Sequence, residues 1–197
     1  MGLFARFACL HRKDTAEDLA QIVLKLLQAW NVVETAEPNA VERLLIIAPA
    51  GGGWLMVVDH VEKMSSAIQD SDGLLAELCH TPGTMALDIV VADSDDLILS
   101  LIKDGEAVSQ LAIGHDGLTE GALQPWRHLL LPGRTTDDIP MAFAEHETFV
   151  EAHFAALKPL FGIDLAAFDD IGDDIGNVPS GQALRSGTVL MRLKVIR

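Results

Sequence analysis

Cysteine is scarce: Cys9 and Cys79 are the two in 197 residues, far apart and outside any C-x-x-C spacing. That excludes a disulfide framework and fits two buried thiols in a reducing compartment. No apolar run approaches the length of a transmembrane helix. In the opening Met1-Gly2-Leu3-Phe4-Ala5-Arg6, Arg6 interrupts any signal-peptide apolar region and stands where a myristoylation signal has Ser or Thr. The expected location is the cytoplasm. Basic residues are also few, 14 against 29 acidic ones, for a formal charge of -15. Such a field repels nucleic-acid phosphates and anionic lipid surfaces, so both are set aside as partners. The same charge serves solubility, and it speeds association with a basic protein partner.

The motifs of common chemistries are missing too. A Gly-rich turn, Gly51-Gly52-Gly53, follows an apolar run, but no Gly-Lys-Ser/Thr comes after it and the next segment reads as a strand. It is therefore read as a hairpin turn and not as a phosphate loop. His146-Glu147 opens like the H-E-x-x-H zinc motif, whose second histidine would fall at Val150, so the motif is broken. There is no G-x-S-x-G elbow, and Ser180 lies in turn-like Pro179-Ser180-Gly181. Cys79 and His80 are adjacent, but successive helical side chains diverge by about 100°, so adjacency does not pair a nucleophile with a base. No cofactor motif is present and no cofactor is expected.

What is present is a patterned globular chain, 49% hydrophobic and 22% charged. Its centre is residues 85 to 114, read as three strands with turns at Asp93-Ser94-Asp95-Asp96 and Asp104-Gly105. Leu87, Ile89 and Val91 share one face, as do Leu97, Leu99 and Leu101, and then Leu111 and Ile113. The aspartates of the first turn are read as turn formers rather than an acid/base pair. A strand is expected near residues 4 to 10, then a helix over 15 to 30 opened by Asp14 and Glu17 as a capping box. Its apolar stripe is Leu19, Ile22, Val23, Leu26 and Trp30. Apolar runs at 44 to 48 and 54 to 58 form a hairpin, followed by a short helix carrying Leu74, Leu75, Leu78 and Cys79, with Asp72 as N-cap. Residues 145 to 158 are read as a helix and 188 to 196 as a last strand, with Val189, Met191, Leu193 and Val195 on one side and Arg192 and Lys194 on the other.

These elements predict an α+β fold: a largely antiparallel or mixed sheet built from residues 44 to 114, with helices packed mainly on one face. Residues 1 to 139 form the core domain. Residues 140 to 197 supply a C-terminal helix, acidic loop and strand packed on it as one compact unit. The irregular stretch from 115 to 139 is the expected boundary.

Candidate sites are sparse. His146 and His153 fall on the apolar stripe of the 145 to 158 helix and are read as core histidines, with a metal or acid/base role as the alternative. Asp169, Asp170, Asp173 and Asp174 gather hard oxygen donors on a glycine turn, but without EF-hand spacing and interrupted by isoleucines. Residues 137 to 174 hold ten acids and one base, and residues 178 to 197 four bases and no acid, so the loop is expected to offset the terminal strand. Trp54 and Trp126 are either capped core residues or, with Arg127, exposed anchors for a partner. Three functions follow. The first is a non-catalytic, bacterial-type interaction module, inhibitory or immunity-like, for a basic partner. The second is a metal-assisted hydrolase using His146, His153 and the acidic loop. The third is a homo-oligomer subunit pairing through its terminal strand at a sheet edge.

Overall fold

β1 (Ala5–His11) is apolar on both faces, with Phe7, Ala8, Cys9 and Leu10 all fully buried. A strand of that kind belongs in the middle of a sheet covered on both sides, and that is its position. The computed structural model describes residues 5–37, 43–61, 71–79, 84–92, 95–114, 117–144, 150–165 and 186–195. Besides β1 the strands are β2 (Val32–Glu34), β3 (Arg43–Pro49), β4 (Trp54–Val61), β5 (Met85–Ala92), β6 (Asp96–Lys103), β7 (Glu106–Gly114), β8 (Gly117–Glu120) and β9 (Val189–Val195). They form one nine-stranded sheet in the order β2-β9-β3-β4-β1-β5-β6-β7-β8. Every pairing is antiparallel.

Helices cover both faces of the sheet, not mainly one. α1 (Ala16–Ala29) and α2 (Ser71–Cys79) lie on the side of Ala8, Leu10, Leu45, Ile47, Leu55 and Val57. The other side carries Phe7, Cys9, Ile46, Met56, Leu87 and Leu99. It is closed by Trp126 of a 3-10 segment (Gln124–His128), by α3 (Asp138–Ala142) and by α4 (Phe154–Phe161). The period of two sends alternate residues of each central strand to opposite cores, so a one-sided arrangement would leave half of them in water.

Several expectations need correcting. The cap of α1 is Thr15, whose side chain accepts from the Asp18 N–H while Asp18 accepts from the Thr15 N–H, one residue along from the Asp14 and Glu17 pair. The buried stripe of α1 is Ala16, Leu19, Ala20, Val23 and Leu27, whereas Ile22, Leu26 and Trp30 lie half-buried at its margin. α2 begins at Ser71, so Asp72 is inside the helix. Residues Val150–His153 form a 3-10 turn and the α-helix starts only at Phe154. Within the stretch from 117 to 139 the structure has β8, the 3-10 segment and the start of α3. β9 lies inside the sheet between β2 and β3, so it offers no free edge for a second copy.

The end of α4 locks onto the β3–β4 turn. Trp54 donates its indole N–H to the Phe161 carbonyl at 3.0 Å, and the Asp164 N–H donates to the Ala50 carbonyl at 2.6 Å. Gly51 has φ +78°, and a Cβ there would sit 3.0 Å from the Gly162 carbonyl oxygen. The glycines are thus demanded by the turn and by this close approach. Gly133 has φ +87° with open space around it. Gly51→Ala should therefore cost about 1 kcal/mol or more beyond Gly133→Ala in urea unfolding, because both carry the left-handed penalty and one also carries the clash.

Candidate functional site

Of the residues singled out as metal ligands, His146, Asp169, Asp170, Asp173 and Asp174 lie outside the described residues. His153 is described, and it is buried, 6% exposed, with its ring edge-on to Phe143 at 5.8 Å between centroids. Among the described residues no three His, Cys, Asp or Glu side chains gather to hold a metal.

Both candidate tryptophan anchors are inside. Trp54 is 3% exposed and bonded to Phe161, with His11 edge-on to its ring. Trp126 is fully buried, its indole N–H donating to Ser109 Oγ at 2.9 Å, while Ser109 donates to the Ala122 carbonyl at 2.6 Å. That relay satisfies the one polar atom of the indole and ties the 3-10 segment to β7. Both indoles are buried, and of the three candidates only Arg127 is exposed.

A feature missed in the sequence is a row of alternating charges on four neighbouring strands, on the side of the sheet that carries α1 and α2. Arg43 of β3 holds both carboxylate oxygens of Asp59 on β4, with Nε donating at 2.6 Å and Nη2 reaching the second oxygen. The two side chains are 2% and 0% exposed. Phe7 pairs with Val58, which puts Arg6 of β1 beside Asp59, and Arg6 in turn holds Asp88 of β5 through two bonds of 3.1 and 3.0 Å. Two forks on two carboxylates neutralise one another, and a bidentate Arg–Asp pair tolerates burial where a lone charge does not. A signal was available: Arg43 opens an otherwise apolar strand, and Asp59 follows five apolar residues.

Cys79 sits against this row. Burial first and the Asp88 carboxylate second push its thiol up to about 12, with Arg6 opposing both. Burial alone raises Cys9. Neither is a thiolate nucleophile at neutral pH. They lie on opposite faces of the sheet, so they cannot join to each other.

One open cavity among the described residues is a cleft of about 400 Å³ at the N-terminal end of α1, lined by Arg12, Asp14, Thr15, Ala16, Glu17, Pro49, Gly51 to Gly53, Trp54, Leu55 and Gly187. Its polar groups are largely committed to one another. Arg12 donates to Asp14 from Nε at 2.6 Å and from Nη2 at 2.5 Å, and Thr15 is occupied with Asp18. The Nη1 of Arg12 is buried and has no acceptor among the described residues. A paired charge, a capped helix end and apolar walls can receive a group, but they do not pair a nucleophile with a base.

No protein-family model, no curated protein and no solved structure matches the chain. No helix among the described residues is long and apolar enough to cross a membrane.

Two measurements check this electrostatic picture. Arg43→Ala should destabilise by roughly 3 kcal/mol or more, since it strands the buried Asp59 charge, and the double change Arg43→Met with Asp59→Leu should recover most of the loss in urea unfolding. Iodoacetamide at pH 8 should alkylate both cysteines at least about a hundredfold more slowly in the native protein than in denaturant.

Proposed function

We propose that this protein acts by binding a basic protein partner through its acidic surface, as a non-catalytic, inhibitory or immunity-like module of bacterial type. The supporting observation is how its acids are distributed. Asp59 and Asp88 are buried or nearly so and held by arginines, whereas the acids outside are mostly left over. Among the described residues Glu17, Glu34, Glu37, Glu77, Asp95, Glu106, Glu120 and Asp137 are exposed and form no ion pair. Exposed and unneutralised, they sustain a field around a chain of net charge -15. Such a field raises encounter rates with a cationic surface by about 10- to 1,000-fold and is screened by salt. Two raised, buried thiols on opposite sides of the sheet suit a reducing compartment, and the cytoplasm is the location this reading assigns.

The test is kinetic. A partner recovered by purification from the native cell at low salt should associate about tenfold more slowly when salt is raised from about 50 to 500 mM. Glu17→Gln, Glu34→Gln and Asp95→Asn combined should lower the association rate and its salt dependence while leaving dissociation nearly unchanged. An association rate indifferent to salt and to these changes would remove the proposal.

A further inference from the structure

We draw no further inference here: the strongest candidate, the cleft of about 400 Å³ between the β3–β4 turn and the N-terminal end of α1, carries nothing, because its helix end is capped by Thr15 and Asp18, its Arg12 is held by Asp14 with the unpaired Nη1 buried, and no second observation among the described residues points to a ligand there.

Discussion

The pairing of β1 on both of its edges is what the rest of the structure depends on. With β4 on one side and β5 on the other, it joins the β2-β9-β3-β4 half of the sheet to the β5-β6-β7-β8 half. A strand in that position has no solvent on either face, so its side chains must be apolar in both directions, and four consecutive residues of β1 are fully buried. Two cores follow, one above and one below, and each needs its own helices. The charged residue near the start of β1, Arg6, is half-buried rather than interior.

Charge is sorted by depth. Inside, each of Arg43 and Arg6 holds a carboxylate with two bonds, and the row sums to zero across four strands. Outside, acids outnumber the bases that could neutralise them. The inner pairs fix which strand ends meet, because a slip of one residue would carry a charge into the opposite apolar core. Outer acids such as Glu17, Glu34, Glu77 and Asp95 form no ion pair among the described residues, which leaves them available to act at a distance. The buried thiol beside the inner row belongs with the first group, held neutral by its surroundings.

Much of this was legible in the residue pattern. Period-two spacing located β5, β6 and β7 and their turns, and Gly51 to Gly53 marked a hairpin whose glycines prove to be required by a positive φ and by the nearby carbonyl of Gly162. The two-sided covering had a sign in Leu44 to Ala48, where five apolar residues in succession leave no polar face, but local pattern does not say which helix lies on which side. The interior position of β9 is a pairing across some 145 residues of chain, and no short window carries it. The stripe of α1 shifted toward Leu27 because α1 packs on β2, β3 and β9, a set of neighbours that helical angles alone cannot specify. The tryptophans were ambiguous because burial depends on which distant group meets the indole N–H, Phe161 in one case and Ser109 in the other.

The place of β9 bears on how the chain is made. β2 and β3 are synthesised early, yet they do not pair with each other; the gap between them is filled by residues 189 to 195. Until that segment leaves the ribosome, two strand edges with unpaired N–H and C=O groups face an empty slot, one of them flanked by the most apolar stretch of the sheet. The half of the sheet nearer β8 is built from sequential hairpins and can close as it emerges, while the half nearer β2 must wait. A nascent chain of this protein therefore passes through an interval in which one side is folded and the other is an open template for any extended polypeptide, which makes the speed of that last insertion a determinant of yield.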